Sequence, residues 1–262
     1  MKREFLAEHG FEVIDAHIHP FLENEGANIA GFGSPASPDE FVAELKSIGI
    51  AKACGTVILR KDCRMEDIRE ANRIALRLQN RYPDFYLPGI HVHGGFPEES
   101  CEELETMVQK GVRWIGELVP YIMNTGEYNS SGMMRIFDLA QQLGIPVNIH
   151  DGWPAELIDP AVKQFPDLKL VLAHPGDLSR AKERFEYMAV HDNVYMDLSG
   201  TGLFRWNMLK YGVELCGADR FLFGSDFPIC SPGMNLYGVL SENLTDAECR
   251  LIFSENFKRL TE

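Results

Sequence analysis

Short apolar runs alternate with longer amphipathic segments along the whole chain. The runs lie at 12–17, 53–58, 85–91, 112–117, 146–150, 169–174, 194–198 and 220–224. The central runs are continuously apolar, as is typical of parallel strands buried on both faces of a sheet. Between the runs, apolar residues recur at helical spacing and fall on one face of each predicted helix. The clearest case is Ile68, Ala71, Ile74, Ala75 and Leu78.

Eight strands that alternate with helices predict an α/β fold, a closed (β/α)8 TIM barrel. The length of 262 residues fits one such barrel without remainder, so we expect a single domain over residues 1–262. No linker or low-complexity tract interrupts the pattern. The longer loops at 20–37 and 118–130 follow strands at one end of the predicted barrel, and both are candidate lids over a pocket.

Most of the histidines fall where a predicted strand ends. Six of the eight have this position: His17, His19, His91, His93, His150 and His174. Two carboxylates, Glu117 and Asp226, have matching positions after the fourth and eighth strands. In a TIM barrel the carboxyl ends of the strands converge on one rim, where the chemistry takes place. The sequence therefore predicts a functional site built from these side chains.

The spacing of the strand-end residues favours a metal site. His17 and His19 are two positions apart on one strand, so both imidazoles project to the same face and can bind one ion together. A set of imidazole and carboxylate ligands suits Zn²⁺, and Fe²⁺, Mn²⁺ or Co²⁺ are also possible. A single strand histidine is usually a hydrogen-bonded structural residue. Six of them at matching strand ends favour metal binding instead.

The composition narrows the classes of partner. The chain has 25 Lys and Arg against 39 Asp and Glu, a net charge of −14, which repels polyanions and anionic membrane surfaces. We therefore expect a small-molecule substrate and neither a nucleic acid nor a membrane partner. The six cysteines show no CxxC spacing, so a zinc ribbon is not indicated. The charged N-terminal segment has no apolar stretch, so we expect no signal peptide and a cytoplasmic protein. A homo-oligomer is compatible with the sequence.

Four motifs resemble those of a known family. The segments DAHIHP, PVNIH, LVLAHPGD and FLFGSDFP follow one another between residues 15 and 228, as in the amidohydrolase-related branch of the amidohydrolase superfamily. The resemblance implies a metal-dependent TIM-barrel hydrolase with one or two divalent ions. It implies that His17, His19 and His150 bind an ion. By the same resemblance Asp226 binds the ion and takes a proton from the attacking water, while His174 orients that water or binds a second ion.

Glu117 departs from the usual pattern of this branch. Many of its members lack a carboxylate at the end of strand four, whereas TatD-like deoxyribonucleases and other two-metal members have one. If Glu117 bridges two ions, His150 and His174 serve the second. If it does not, one ion is bound and His150 joins His17 and His19. The other motifs resemble the branch in which one ion is usual, so we expect one ion.

The expected activity is hydrolysis of an amide, lactone or ester bond of a small molecule. A bound divalent ion lowers the pKa of water from about 15.7 toward about 7, and Asp226 can transfer the proton. Metal-dependent decarboxylation of the ACMS decarboxylase type is an alternative. A TatD-like deoxyribonuclease is a weaker one, because phosphate binding normally uses Lys and Arg. A barrel that binds a ligand without turnover is a further alternative. No GxSxG, GxGxxG or GxxxxGK[ST] motif is present.

Five further residues are candidates for substrate binding. Arg60 and Arg205 follow the second and seventh strands and can clamp a carboxylate, although each suits a surface ion pair equally well. Trp153 follows His150 closely and can stack on a ring or pack in the core. His91 and His93 either line the pocket or have a structural role.

Overall fold

The computed structural model describes residues 10–23, 25 and 29–262. Each of the eight apolar runs overlaps a strand. The strands are β1 (Ile14–Ile18), β2 (Lys52–Gly55), β3 (Tyr86–Pro88), β4 (Ile115–Leu118), β5 (Val147–His150), β6 (Leu170–Ala173), β7 (Val194–Asp197) and β8 (Phe221–Leu222). All of the paired strands are parallel, as predicted. Several strands are shorter than the runs; β3 ends at Pro88, which has no N–H for a further ladder bond.

Helices connect successive strands, and three more follow β8. They are α1 (Pro38–Ser47), α2 (Met65–Arg81), α3 (Pro97–Gln109), α4 (Pro120–Met123), α5 (Ser131–Gln142), α6 (Asp159–Gln164), α7 (Leu178–Ala189), α8 (Met208–Cys216), α9 (Pro232–Leu240), α10 (Asp246–Arg250) and α11 (Asn256–Thr261). Within the part of the chain that the structure describes, no helix is long and apolar enough to cross a membrane.

The strands form two sheets that meet at two seams. One sheet has the order β1-β2-β3 and the other β4-β5-β6-β7-β8. Single parallel bridges, Ile90 with Ile115 and Ile18 with Phe227, connect them. At the second seam the Asp226 amide also donates to the His17 carbonyl at 2.8 Å. Regular ladders do not run through the seams, but the strands follow one another in the order of a TIM barrel, which confirms the predicted α/β barrel.

The C-terminal segment closes the barrel at the end opposite the carboxyl ends of the strands. The buried Trp114 ring, which precedes β4, lies 5.3 Å from that of Phe257 on α11. The Asn256 amide donates to the carbonyls of Ala218 and Phe221, both at 2.8 Å, and so attaches α11 to the start of β8. The opposite end, where the strands terminate, is left for the site.

Of the two candidate lid loops, the segment 118–130 contains α4 and contributes to a cavity described below. Residues 24 and 26–28 of the loop at 20–37 lie outside the described residues, so that loop stays a prediction.

Candidate metal centre

Four side chains from three strand ends converge at one point of the rim. His17 on β1 and His19 directly after it are buried, and their Nε2 atoms lie 3.2 Å apart. Oε2 of Glu117, on β4, is 3.4 Å from each of these nitrogens. Oδ1 of Asp226, after β8, is 3.2 Å from Nε2 of His19 and 3.7 Å from Nε2 of His17. We call these four residues the rim cluster.

The spacing within the rim cluster fits a tetrahedral ion. Zinc-like ions bind imidazole nitrogens and carboxylate oxygens at about 2.0–2.2 Å, so four tetrahedral ligand atoms lie about 3.3–3.6 Å from one another. Five of the six separations among the four atoms, all except that between Glu117 and Asp226, run from 3.2 to 3.7 Å. Two imidazoles and two carboxylates are also a suitable donor set for a divalent cation. The rim cluster could therefore hold one such ion.

The other oxygen of Glu117 faces a second pair of histidines. Nδ1 of His150, on β5, lies 2.7 Å from Oε1, and Nε2 of His174, after β6, lies 3.4 Å from it. A separation of 2.7 Å is that of a hydrogen bond and is shorter than the spacing of two ligands on one ion. If one ion is bound, the sequence pattern predicts that His150 joins His17 and His19 as a ligand. The structure instead groups it with Glu117 and His174, because the Glu117 carboxylate lies between the two pairs.

Asp197, at the end of β7, supports the rim cluster from below. This carboxylate is fully buried. Its Oδ2 lies 2.9 Å from Nδ1 of His17 and accepts a hydrogen bond from the side-chain Nδ2 of Asn148 at 2.7 Å. A carboxylate on the outer nitrogen of a ligating histidine fixes the ring orientation and the tautomer. Asp197 was not predicted from the sequence, although, like His150, it is the last residue of its strand.

Ser199 links the supports of the two histidine pairs. Its Oγ lies 3.0 Å from Nδ1 of His17 and 2.9 Å from Nδ1 of His174, and its hydroxyl donates to Asp197. On the other side, Nδ1 of His19 lies 3.3 Å from the carbonyl of Thr56. The outer nitrogens of these three rings are therefore held, and their Nε2 atoms point to the centre of the site.

The charged groups of the site act strongly on one another. Burial by itself raises the pKa of Glu117, but the charge of His17 and the hydrogen bonds of the histidines outweigh it and hold that pKa well below its usual range. Burial likewise lowers the pKa of His17, but the charges of Asp197 and Glu117 raise it well above the ordinary value. Glu117 therefore stays ionised and favours positive charge at the centre, whether from protons or from a cation.

Three residues of the rim adopt left-handed backbone conformations although none is glycine. The φ angles are 65° at His174, 64° at Asp226 and 60° at Asp151. Such conformations cost of the order of 1–3 kcal/mol each and persist where the surrounding structure imposes them, often at functional sites. Two of the three belong to the predicted site, which agrees with a rim shaped for function.

His91 and His93 lie under the rim and bind the backbone. Nε2 of His91 is 3.0 Å from the carbonyl of Val57, and Nε2 of His93 is 3.0 Å from that of Cys63. Nδ1 of His93 accepts a hydrogen bond from the amide of Gly95 at 3.0 Å. Both rings are buried and fasten the loop between β2 and α2. Their placement favours the structural alternative over substrate contact.

A wide cavity opens beside His150. Its volume is about 820 Å³, and its wall includes Tyr121, Trp153 and His150. The Tyr121 ring lies 4.9 Å from that of His150, and Nε1 of Trp153 donates to Glu183 at 2.9 Å. The exposed Arg60 is close enough for its charge to act on the Tyr121 hydroxyl and oppose the rise that burial causes in the pKa of that group.

Arg205 lies elsewhere. Its guanidinium donates to the carbonyl of Gly176 at 3.0 Å and stands 4.5 Å from the centre of the Phe204 ring. It lines a separate depression together with Asp177 and Lys182. Of these candidates for substrate binding, Trp153 therefore lines the cavity beside the site, Arg60 acts on the Tyr121 of its wall through charge, and Arg205 lies outside it.

The comparisons with known proteins agree with the architecture. Solved structures of similar fold include the 2,6-dihydroxybenzoate decarboxylase from Rhizobium, which is 18% identical with a TM-score of 0.73 over 96% of this chain and 98% of that one. The dihydroxybenzoic acid decarboxylase from Polaromonas, with bound manganese and an inhibitor, is 17% identical (TM-score 0.72, 96% and 97% of the chains). The 5-carboxyvanillate decarboxylase from Sphingomonas paucimobilis is 15% identical (TM-score 0.73, 96% and 99%).

Among curated proteins, no sequence matches the chain significantly. The model of the amidohydrolase family, by contrast, matches residues 14–260, which is almost the whole chain and includes every motif residue from Asp15 to Asp226. The match agrees with the barrel and with the histidines and carboxylates on its rim. The chain therefore belongs to the amidohydrolase family, within the amidohydrolase superfamily of enzymes.

Proposed function

We propose that the protein is a metal-dependent decarboxylase of small conjugated carboxylic acids. The observation that carries the proposal is the arrangement of His150 and His174, two imidazoles that share one oxygen of Glu117 directly beside the rim cluster. They place proton donors next to a site for a cation. The sequence motifs favoured hydrolysis, with decarboxylation as the alternative; the two imidazoles beside the cation site favour decarboxylation.

The rim cluster is the proposed site of one divalent ion, held by His17, His19, Glu117 and Asp226. When bound, the ion supplies a positive charge that holds and polarises the oxygens of the substrate. Mn²⁺ and Zn²⁺ both suit these ligands. The sequence analysis favoured Zn²⁺; the manganese in the Polaromonas enzyme makes Mn²⁺ an equal candidate.

His174 is the proposed proton donor. Glu117 lies 3.4 Å from its Nε2, and the negative charge of that carboxylate favours a protonated ring. In the proposed reaction His174 donates this proton to the carbon that carries the carboxylate. The bond to the carboxyl carbon then breaks, its electron pair returns to the conjugated ring, and carbon dioxide leaves. Ser199, which touches Nδ1 of His174, keeps the ring in the orientation for this transfer.

The cavity supports a flat substrate. Tyr121 and Trp153 give it aromatic walls next to His150, and such walls suit a conjugated ring. Arg60, whose charge reaches the Tyr121 hydroxyl on the cavity wall, is suited to attract a carboxylate. The lining also includes Asp62 and Glu127, whose charges disfavour a phosphodiester backbone and therefore the nuclease alternative. The fold neighbours named above act on aromatic acids, which agrees with this substrate class.

Hydrolysis of an amide, lactone or ester remains a second candidate, and the position of Asp226 favours it. Its Oδ1 lies within the rim cluster, where a carboxylate can accept a proton from water. Both reactions use the same cation site, so a test must follow the bonds that break.

The test uses metal-loaded protein in D₂O with two matched panels: hydroxybenzoic acids that include 2,6-dihydroxybenzoate and 5-carboxyvanillate, and the methyl esters of the same acids. We expect carbon dioxide release from the free acids and one deuterium at the carbon that lost the carboxylate. We expect His174→Asn to abolish this while keeping the ion. Ester cleavage without carbon dioxide release would establish the hydrolase instead. Failure of fully loaded protein on both panels would count against both candidates.

A further inference from the structure

The buried guanidinium of Arg184, on α7, joins the ends of two neighbouring strands directly behind the site. Its side chain is 1% exposed. Nη1 donates to the carbonyl of His174 and, at 3.3 Å, to that of Ala173. Nη2 donates to the carbonyl of Asp151 at 2.6 Å and to Oδ1 of the same residue. One side chain therefore fixes the residue that follows β5 and the residue that follows β6.

Burial of this cation opposes stability unless its partners compensate. Burial lowers the pKa of Arg184 to about 10, although the charge of Asp151 opposes that shift. A buried arginine is tolerated only when its hydrogen bonds and ion pairs offset the loss of hydration. Two of its acceptor residues, His174 and Asp151, are among the non-glycine residues with a left-handed backbone. Asp151 directly follows His150, so the contacts of Arg184 lie within one residue of both imidazoles on Glu117.

We propose that Arg184 is a positioning residue, which holds the peptide groups of Asp151 and His174 so that the imidazoles of His150 and His174 meet the same oxygen of Glu117. Among the described residues its hydrogen bonds reach backbone carbonyls and the Asp151 carboxylate and no atom of the rim cluster. The planar fork is needed because acceptors on two separate strands are bound by two separate NH₂ groups. A lysine offers one nitrogen and cannot serve both strands in this geometry.

We call Arg184 and its acceptors at Asp151, Ala173 and His174 the clamp. Arg180 provides a contrast, because it contacts the same clamp from outside. Its Nη1 binds Oδ2 of Asp151 at 2.5 Å, but its side chain is 37% exposed and its one contact in this clamp is with the carboxylate. Loss of Arg180 leaves the carbonyls of Asp151 and His174 bound to Arg184. The proposal therefore assigns the positioning role to Arg184 alone.

The molecule also offers a matched control in Arg220. This arginine is 8% exposed, and its Nη2 donates to the carbonyls of His191, at 2.6 Å, and Val194. It thus resembles Arg184 in burial and in its backbone acceptors. Its acceptors, however, lie at the start of β7, at the end of the barrel opposite the rim. Replacement of Arg220 removes a comparable buried guanidinium without touching the site.

The experiment compares Arg184→Lys with Arg220→Lys in the metal-loaded full chain. We expect both variants to lower Tm and both to keep the ion of the rim cluster. We expect kcat to fall by about 10²-fold in Arg184→Lys alone, with little change in KM, because a misplacement of about 1 Å has that effect. In ¹⁵N spectra of the imidazoles, the signals of His150 and His174 should shift in Arg184→Lys, while those of His91 and His93 stay in place.

Equal kcat values and equal imidazole spectra in the two variants would overturn the inference. Should Arg184→Lys fail to fold, Asp151→Asn weakens the clamp from its exposed side and is expected to shift the same two imidazole signals, whereas unchanged signals would overturn the inference. The kinetic readout rests on the proposed function. The imidazole spectra do not rest on it. If the protein has no decarboxylase activity, the proposed function is wrong, and the spectra still test the positioning role of Arg184.

Discussion

Oδ2 of Asp197 lies 2.9 Å from Nδ1 of His17, and both groups are fully buried. The carboxylate stays ionised there: burial by itself raises its pKa, but the charge and hydrogen bond of His17 hold the pKa at about 2. The contact orients the His17 ring so that its Nε2 faces Glu117 at 3.4 Å. An interaction outside the rim cluster therefore sets the geometry within it.

We expect Asp197→Asn to weaken binding of the divalent ion by about 10–100-fold, because it removes the charge that orients a ligating histidine and raises its basicity. Competition with a chelating dye measures the affinity. Asp167→Asn, on the exposed turn before β6, is the control and should bind as the wild type does. An unchanged affinity in Asp197→Asn would show that His17 needs no support from this carboxylate.

Removal of the ion should destabilise the protein. A ligand present at about 100 times its Kd stabilises the folded state by about 2.7 kcal/mol, and in a domain of this size each kcal/mol shifts Tm by about 2–4 °C. We therefore expect a chelator to lower Tm by about 5–10 °C, and added Mn²⁺ or Zn²⁺ to restore it. Scanning calorimetry with and without chelator measures the shift.

His17→Asn is the matched control for that experiment. The variant loses one of the two imidazole nitrogens of the rim cluster, so it should carry little ion, and chelator should leave its Tm unchanged. The fold should stay near intact, because rim residues contribute little to the core. Stoichiometric metal in His17→Asn, or an equal chelator shift, would contradict the assignment of the cluster.

The sequence predicted the barrel and most residues of the candidate site because both follow from local rules. Apolar runs mark buried parallel strands wherever they occur, and a two-residue spacing on one strand is enough to pair His17 with His19. The strand-end rule also brought Glu117 to the rim. These features depend on chain direction and strand order, which the hydrophobic pattern contains.

The grouping of the side chains within the site depends on which of them meet across the barrel. Local sequence patterns do not contain this information. His150 lies with Glu117 and His174 rather than with His17. The Glu117 carboxylate stands between the two pairs of histidines, and its Oε1 faces His150 and His174. Arg184 is a further example. It lies in the middle of an amphipathic helix, where a charge usually faces solvent, and its role appears only once β5 and β6 are placed beside it.

Acid should destabilise the protein partly through His91. Burial lowers the pKa of this imidazole to about 4, and among the described residues its Nδ1 has no hydrogen-bond partner that could accept a proton from it. The folded state therefore keeps the ring neutral while the unfolded state takes up a proton below pH ~6.5. Stability is lost as the pH falls from about 6.5 to about 4, by about 3 kcal/mol in total.

Urea unfolding of wild type and His91→Gln between pH 7 and pH 4, both in chelator, isolates this contribution. Glutamine does not titrate, so the difference in the free energy of unfolding between the two proteins should shrink by about 3 kcal/mol across that interval. A difference that stays constant with pH would mean that His91 is protonated in the folded protein and would remove the structural role proposed for it.

Glu117 should decide how many ions are bound. Oε2 has the spacing of a ligand next to His17 and His19, whereas Oε1 makes a hydrogen bond of 2.7 Å to His150. We therefore expect one ion, in the rim cluster. Glu117→Gln should lose most of it, because the neutral amide removes a negative charge, and it also turns an N–H₂ group toward one of the two histidine pairs. Metal analysis of both proteins gives the stoichiometry. Anomalous diffraction above and below the metal edge gives the position, and two peaks on either side of Glu117 would replace the single-ion arrangement with a carboxylate-bridged pair.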